Sequence, residues 1–219
     1  WREHKRECKK RAAELHDEAL FKEPSPRDEC PICCLPQPID VWQIMYHECC
    51  GKEICTGCIH AAGVIDNRHL CPFCRTPAPK DEEFVKRLKK RADGGDAHAI
   101  QQLGLCYSRG DDGLPQDHRK AMELYIRAGE LGCADSYHNL ATHYRKGWGV
   151  ERDMKKAKHY LELAALGGNI MSRHNLGNLE WNAGKITRAV KHYMISARAG
   201  CDLSLKEIRE GYLKGHLTK

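Results

Sequence analysis

The stretch that decides the fold of this chain is its cysteine-rich segment. Residues 30–74 read CPICCLPQPIDVWQIMYHECCGKEICTGCIHAAGVIDNRHLCPFC and hold nine of the 13 cysteines. Three Cys-x-x-Cys pairs occur here, at 30/33, 55/58 and 71/74, and a Cys49–Cys50 pair lies between the first and second. A Cys-x-x-Cys step aims two thiolates at one metal ion, and sulfur is a favoured ligand of structural, tetrahedral zinc. The spacing therefore predicts a module held together by two Zn²⁺ ions with eight ligands.

Disulfide pairing is the alternative explanation for so many cysteines. It requires an oxidising compartment, and the N-terminal residues contain no apolar signal segment. Free cysteine elsewhere behaves as a small buried hydrophobe, which suits the four cysteines that lie in helical patterns, at positions 8, 106, 133 and 201. We therefore expect zinc rather than disulfides, and an intracellular location in the cytoplasm or the nucleus.

The sequence around the cysteines resembles a RING-type zinc finger. The matching words are Cys30-Pro31-Ile32-Cys33, the segment CGKEICTGC at 50–58 and the segment CPFCR at 71–75. In that family the first and third ligand pairs share one ion, and the second and fourth pairs share the other, in a cross-brace. By this resemblance the ligands of the first ion are Cys30, Cys33, Cys55 and Cys58. Two ligands of the second ion are Cys71 and Cys74.

The second ligand pair departs from the common RING pattern. That pattern has Cys-Gly-His here, whereas this chain has Lys52 in place of the histidine, and lysine is no zinc ligand. Cys50 fits one position, because its gap of four residues to Cys55 matches all-cysteine variants. Cys49 and His47 compete for the last position: adjacent residues are strained when they reach one ion, which favours His47, while the preference for sulfur favours Cys49. We take Cys49 as the eighth ligand, with His47 as the alternative.

Two further residues help to separate RING from related zinc fingers. Cys34 follows a ligand directly and is expected to take no part in metal binding. A PHD-type finger places a tryptophan two residues before its last cysteine pair, where this chain has His69. RING is the better match.

The RING resemblance implies a ubiquitin ligase with no catalytic residue of its own. Such a module binds a ubiquitin-conjugating enzyme and holds its thioester-linked ubiquitin in a reactive position. By resemblance, Ile32 enters an apolar groove of the conjugating enzyme, Pro72 lines the same contact, and Arg75 hydrogen-bonds to both enzyme and ubiquitin. The aromatic residue often found in this region of the family is absent from Ile59–Leu70. A non-catalytic scaffold for protein–protein interaction therefore stays open as the alternative.

The second half of the chain repeats itself from residue 96 to residue 201. Leucines recur at 103, 140 and 176, and alanines recur at 121, 157 and 189. This period of 32 to 37 residues, with small residues where helices approach closely, indicates stacked helical hairpins. The words L-G-x-x-Y-x-x-G, D-x-x-K-A-x-x-Y and A-x-x-G resemble Sel-one-like repeats, which are relatives of the tetratricopeptide repeat.

The predicted fold is mostly α, with a small zinc-stapled RING cross-brace module followed by a short α/α solenoid of helical-hairpin repeats. Residues 1–27 form an N-terminal helix with a proline-containing connector, 28–79 form the zinc finger, and 80–219 form about three full repeats with flanking half-repeats. A helix over 81–92 supplies the first half-repeat. The N-terminal helix is expected to pack on the zinc module, because its apolar stripe is too short and weak to hold a dimer.

Composition excludes several classes of function. The net charge is +6, and the +7 on residues 80–219 is too dilute to indicate nucleic-acid binding. No apolar run approaches the length of a membrane span, and no phosphate-binding loop or nucleophile elbow occurs.

The basic run from Lys86 to Arg91 fits a solvated helix face, with nuclear import as the alternative. His138 and His143 are five residues apart on a helix and cannot share a metal ion. The expected partners are a conjugating enzyme and a protein substrate, with neither nucleic acid nor membrane.

Overall fold

The computed structural model describes residues 2–65, 70–79 and 81–215, so His69 lies outside the described residues. The described part is mostly helical, as predicted from the sequence. Its elements are α1 (Arg2–Leu20), β1 (Ile44–His47), β2 (Lys52–Cys55), α2 (Thr56–Ile65), α3 (Asp81–Asp93), α4 (Ala97–Arg109), α5 (His118–Glu130), α6 (Ala134–Lys146), α7 (Met154–Leu166), α8 (Ile170–Asn182), α9 (Ile186–Arg198) and α10 (Asp202–Leu213). Among these described helices, none has the length and apolar character needed to span a membrane.

The cysteine-rich segment contains two similar turns and one hairpin. Residues 29–36 and 70–77 each close on themselves through an isolated antiparallel bridge, between Glu29 and Pro36 and between Leu70 and Pro77. We call these turns the first and second knuckle. Strands β1 and β2 pair antiparallel through 44–47 and 52–55, and α2 follows β2 directly. The hairpin thus brings the middle cysteines between the two knuckles.

The helices after residue 80 pack as antiparallel neighbours. Helix α3 packs on α4, α4 on α5 and α5 on α6, while α8 packs on α9 and α9 on α10. The repeated alanines Ala121, Ala157 and Ala189 are buried. Leu88 of α3 is buried in the same apolar core as Tyr125 of α5. The assignment of α3 as the second helix of a half-repeat stays a prediction.

The repeat words can be explained by helix ends and close approaches. The aspartate that opens D-x-x-K-A caps a helix: Asp117 accepts a hydrogen bond from the Lys120 N–H, and Asp153 accepts one from the Lys156 N–H, both at 3.0 Å. The glycine in L-G-x-x-Y sits against an aromatic ring of the next helix. A Cβ on Gly104 would lie 2.7 Å from the Tyr125 ring, so no larger residue fits without displacing that ring.

The described chain divides into two compact units, with the boundary inside α7. One unit comprises residues 26–160, and the other comprises residues 1–25 together with 161–219. The end of α1 is anchored by the C-terminal segment: Arg173 of α8 donates to the Leu20 carbonyl, and Arg188 of α9 pairs with Asp17. The expectation that α1 packs on the zinc module is therefore corrected. Its partners lie more than 150 residues away in sequence, where no local pattern signals them.

Helix α10 exposes several large apolar side chains. Leu205 is 59% exposed and Tyr212 is 47% exposed, while Ser204 and Gly211 face inward and are buried. Small residues allow α10 to lie close to α9, and the larger apolar side chains then point outward.

Candidate metal centre and its junction with the first repeat

Four cysteines form the first candidate metal site. Cys30 and Cys33 come from the first knuckle, Cys55 ends β2, and Cys58 lies in the first turn of α2. Their sulfur atoms all lie within 4.8 Å of one another, and the Sγ atoms of Cys33 and Cys55 are 3.9 Å apart. A tetrahedral site with Zn–S bonds of about 2.3 Å has sulfur–sulfur edges of about 3.8 Å. The sulfurs are thus spaced as one zinc ion requires.

A second group of four cysteines forms the other candidate site. Cys49 and Cys50 lie in the turn between β1 and β2, and Cys71 and Cys74 come from the second knuckle. These four sulfurs also lie within 4.8 Å of one another. The Sγ atoms of Cys50 and Cys71 are 3.8 Å apart, and those of Cys49 and Cys74 are 3.4 Å apart. The pairs therefore meet in crossed order along the chain, the first with the third and the second with the fourth.

The structure brings Cys49, rather than His47, to the other three sulfurs. His47 pairs with Lys52 across the hairpin and belongs to neither group of clustered ligands in the described residues. Its Nε2 is buried and has no hydrogen-bond partner there, and burial lowers the pKa of His47. The imidazole is thus neutral at neutral pH, and it lies outside both groups of clustered donors in the described residues.

Both knuckles depend on a residue in the left-handed backbone region. Cys34 has φ +57° and Arg75 has φ +61°, which is uncommon for residues other than glycine. In each case the residue's N–H donates to the carbonyl of the first cysteine, Cys30 or Cys71, at 2.9 Å. Cys34 and Arg75 therefore occupy equivalent positions. This explains why Cys34 does not join the first sulfur group despite following Cys33 directly.

The thiols of each group differ in how readily they ionise. Burial opposes ionisation of Cys30, but backbone N–H groups, first that of Cys33, outweigh it and lower its pKa to about 6. Burial likewise opposes ionisation of Cys74, but the hydroxyl and N–H of Thr76 bring its pKa to about 6. Burial raises the pKa of Cys50 to about 11 and that of Cys58 to about 12, and neighbouring sulfurs add to both. Each group thus holds a favoured thiolate beside thiols that need a cation to ionise.

The donor sets fit structural zinc. Each site offers four sulfurs and a closed shell, which is the arrangement of structural rather than catalytic zinc. All eight donors come from backbone that is fixed by a knuckle, by the hairpin or by the start of α2. A bound divalent cation would supply crosslinking of these elements, and it would offset the repulsion between the thiolates.

The three predicted contacts for a conjugating enzyme lie on the two knuckles. Ile32 is 41% exposed, an unusual position for a large apolar side chain. Arg75 is exposed, and its guanidinium makes no hydrogen bond or ion pair with the described residues. Pro72 is half-buried and lines an apolar cavity of about 570 Å³, together with Ile59 and Phe84.

Arg91 of α3 joins the repeat helices to the second candidate metal site. Its Nε donates to the Glu48 carbonyl and its Nη2 donates to the Cys49 carbonyl at 3.1 Å. The guanidinium lies against Gly51, where a Cβ would collide with it. The turn that carries Cys49 and Cys50 is thus held by a side chain from outside the cysteine-rich segment.

Asp96 connects the same contact to α4. Its Oδ1 accepts from the Ala99 N–H and caps α4, while its Oδ2 accepts from the Tyr46 hydroxyl at 2.7 Å and lies 3.4 Å from Arg91 Nη1. Burial, and then this bond to Asp96, raises the pKa of Tyr46, so the phenol stays a donor. One carboxylate therefore fixes the start of a repeat helix and the hairpin of the cysteine-rich segment.

Two further ion pairs cross the same junction. His98 Nδ1 lies 2.8 Å from Glu53 Oε1, and Arg87 Nη1 lies 3.5 Å from the buried Glu48 carboxylate and 3.4 Å from the Pro77 carbonyl. The predicted solvated face of α3 is therefore correct for Lys86, Lys89 and Lys90, which are exposed, but not for the two arginines. An aspartate before a helix is a recognisable cap, but nothing in the sequence signals that its second oxygen and both arginines contact residues about 40 to 50 positions away.

A family model for the Sel1 repeat matches residues 97–133 and 134–169. These segments correspond to the hairpins α4–α5 and α6–α7. No RING family model matches the chain, so the RING assignment depends on the local sequence words and on the sulfur geometry.

Characterised proteins match part of this chain. The chain is 32% identical over 114 residues to the ERAD-associated E3 ubiquitin-protein ligase component HRD3B of Arabidopsis thaliana, over 52% of this chain and 18% of that protein. It is 24% identical over 115 residues to chitin synthase regulatory factor 2 of Schizosaccharomyces pombe, over 47% of this chain and 22% of that protein. The chain thus spans less than a quarter of the length of these relatives.

Two solved structures share the helical fold. A Sel1 repeat protein from Oxalobacter formigenes superposes with a TM-score of 0.60 and 27% identity, covering 64% of this chain and 59% of the other. The protective antigen c5321 from uropathogenic Escherichia coli superposes with a TM-score of 0.55 and 29% identity, covering 60% and 29%. The chain thus contains two Sel1 repeats, at residues 97–133 and 134–169, within a helical fold that these solved structures share.

Proposed function

We propose that this protein is a zinc-binding ubiquitin ligase of the RING type, whose Sel1 repeats recruit a protein substrate. The observation that carries the proposal is the crossed order of the two sulfur groups. Two independent zinc clips would pair neighbouring cysteines, whereas here the first pair meets the third and the second meets the fourth. A cross-brace of this kind places both knuckles at fixed positions, and with them Ile32, Pro72 and Arg75.

The proposed mechanism is catalysis by positioning. Zinc supplies structural crosslinks, and no side chain of this protein attacks the thioester. Ile32 offers an exposed apolar side chain that binds the conjugating enzyme, and Pro72 extends that surface from the second knuckle. Arg75 is pinned at its backbone, while its side chain is free of partners in the described residues. A guanidinium held in this way can donate two hydrogen bonds across an enzyme–ubiquitin boundary and restrict the thioester to reactive orientations.

The relatives support a ubiquitin-related context without assigning it. HRD3B and HRD3A of Arabidopsis thaliana are both named components of an E3 ubiquitin-protein ligase. In our proposal the repeats of this chain serve protein–protein interaction and the zinc module is in the same polypeptide. The junction through Arg91 and Asp96 holds that module on the first repeat.

The metal is tested first. Purified protein should contain two zinc ions per chain by elemental analysis. We expect Cys49→Ser to lose one ion and His47→Ala to keep both, because Cys49 is the residue whose sulfur lies with the other three. One zinc or none in the unaltered protein would remove the cross-brace from the proposal. Retention of two tightly bound ions by Cys49→Ser would require a different eighth ligand.

Ubiquitin transfer is tested by discharge from a panel of conjugating enzymes charged with ubiquitin. Arg75→Ala should cut the discharge rate about tenfold or more, or about 1.4 kcal/mol, while zinc content and binding of the uncharged enzyme stay unchanged. Ile32→Ala should weaken the binding step itself through lost apolar contact. Cys34→Ala is the matched control, since Cys34 has the same backbone conformation in the other knuckle.

A non-catalytic scaffold is the second candidate function. Its support is the absence of an aromatic side chain from the described part of the segment between Cys58 and Cys71, which weakens the expected contact with a conjugating enzyme. Protein that binds two zinc ions and still discharges no conjugating enzyme in the panel would establish this alternative. Full activity of Arg75→Ala would agree with the ligase proposal and contradict only the role proposed for Arg75.

A further inference from the structure

Residues 17–23 lie on α8 and α9 in the manner of a bound peptide. The segment, DEALFKE, comprises the last turn of α1 and the three residues after it. Asp17 pairs with Arg188, and Glu23 Oε1 lies 2.8 Å from Arg198 Nη1. Leu20, between these two acids, is fully buried. Ion pairs therefore hold both ends of the segment, and the buried Leu20 side chain holds its centre.

Arg173 of α8 recognises the carboxyl end of helix α1. Its guanidinium is 2% exposed, and it donates to the Leu20 carbonyl at 2.6 Å and to the Lys22 carbonyl at 3.1 Å. The last carbonyls of a helix have no partner within the helix, and a cation there also interacts favourably with the helix dipole. A buried guanidinium without such acceptors is strongly disfavoured. The groove is thus built to hold the end of a helix.

Phe21 occupies a basic and aromatic pocket on α9. Its ring centroid lies 4.7 Å from that of His192, with the Arg188 guanidinium 5.0 Å and the Lys191 ammonium 5.3 Å from the ring centre. Cations over an aromatic face are attracted by its quadrupole. The pocket therefore favours an aromatic side chain directly after the buried leucine.

One further side chain of α1 contributes to this attachment, because His16 Nε2 lies 3.4 Å from Glu162 Oε2 of α7. Residues 4–16 are exposed, and Leu15 is 49% exposed although it lies in the apolar stripe of the helix. The residues that follow, Pro24, Ser25 and Pro26, form an extended connector outside any helix or strand. The segment is thus flanked by an exposed helix on one side and by a connector outside any helix or strand on the other.

We propose that the groove of α8 and α9 is a binding site for a helix terminus of a partner protein, and that residues 17–23 occupy it in cis. The partner segment would carry an acidic residue, a leucine three positions later, an aromatic residue next and a second acid two positions after that. Four basic side chains line the groove, and two acids of the segment form ion pairs with two of them. We therefore expect the partner segment that binds there to be acidic. This deepens the recruiting role proposed for the repeats, but its test needs no zinc and no ubiquitin.

The test uses a fluorescein-labelled peptide of residues 12–25, AAELHDEALFKEPS, with the full chain. Fluorescence anisotropy would compare the unaltered chain with a released chain that carries Leu20→Ala and Phe21→Ala. Because its own segment no longer competes, the released chain should bind the peptide at least tenfold more tightly. A peptide with the same two substitutions should not bind. A second released chain, with Asp17→Lys and Glu23→Lys, keeps Leu20 and should bind at least threefold more tightly than the unaltered chain.

A charge exchange tests the location of the site. Arg188→Glu in the released chain should abolish binding, and a peptide with Asp17→Arg should restore it. Failure of both released chains to bind the peptide, or failure of the exchange, would overturn the proposal. Loss of the folded state in both released chains, seen by circular dichroism, would make the segment a structural part of these repeats and overturn it equally. A dimer in light scattering that both sets of substitutions abolish would assign the groove to a second copy instead of a partner.

Discussion

Arg91 shows how much of the candidate site depends on single side chains outside the cysteine-rich segment. It lies on a repeat helix, yet its donors reach the carbonyls of Glu48 and Cys49 in the turn that carries two predicted metal ligands. Partners that orient a metal ligand commonly alter metal affinity by 10- to 100-fold when they are removed. The two proposed zinc sites should therefore differ in their response to substitutions in α3.

Arg91→Ala should accelerate zinc release from the second site about tenfold or more and leave the first site unchanged. The reason is that the Cys49 carbonyl loses its donor, so the turn that presents Cys49 and Cys50 is held less firmly. Zinc transfer to a chromogenic chelator would show two kinetic phases, of which one accelerates. Lys90→Ala, an exposed position on the same helix, is the matched control. Equal acceleration of both phases would argue against a site-specific role.

His98 should make the junction sensitive to pH. Its hydrogen bond to Glu53 raises the pKa of His98, although burial opposes this. A raised folded-state pKa means that the stabilisation is fully present below the unfolded value of about 6.5 and is lost as pH rises through the folded value. NMR titration of the imidazole should give a pKa above 6.5 that falls in Glu53→Gln. An unchanged His98 pKa in Glu53→Gln would show that His98 and Glu53 do not interact at the junction.

At the scale of helices, the repeat register depends on small residues at crossings. Ala121 is fully buried between α4 and α5, next to the place where the Tyr125 ring lies against Gly104. Ala121→Leu should lower the free energy of unfolding by about 1–3 kcal/mol, because the added volume must separate the helices or displace the ring. Denaturant unfolding would measure the change, with Arg119→Leu at an exposed position of the same helix as the control. Equal stability of the two variants would contradict the register.

The elements that sequence predicts well are those whose cause is local. A Cys-x-x-Cys step forms a knuckle from its own residues, and Asp117, Gly104 and Ala121 recur because each repeat needs the same cap and the same close approach. The anchoring of α1 and the junction could not be predicted in this way. Arg173 and Leu20 are 153 residues apart, and Arg91 and Cys49 are 42 apart, so only the folded chain shows why these arginines are buried or paired.

At the scale of the whole molecule, zinc and the first repeats should behave as one cooperative unit. The cysteine-rich segment and helices α3 to α6 belong to the same compact unit, and they are connected through Tyr46, Arg91, Asp96 and His98. Residues 161–219 with residues 1–25 form the other unit, which has its own anchors in Arg173 and Arg188. The unfolding that follows loss of metal should therefore affect the first unit more than the second.

Removal of zinc by a chelator should be followed by hydrogen exchange measured by mass spectrometry. We expect loss of protection over residues 30–58 and 70–79, because the proposed metal crosslinks replace a core that so small a module lacks. The loss should extend into α3 and the first turn of α4, since Arg91 and Asp96 lose the ordered turn and the Tyr46 hydroxyl that they contact. Helices α8 to α10 should keep their protection, because their contacts with one another and with residues 17–23 involve no predicted metal ligand. Unchanged exchange in α3 would show that the junction is passive, and loss of protection in α8 to α10 would show that the two units do not unfold separately.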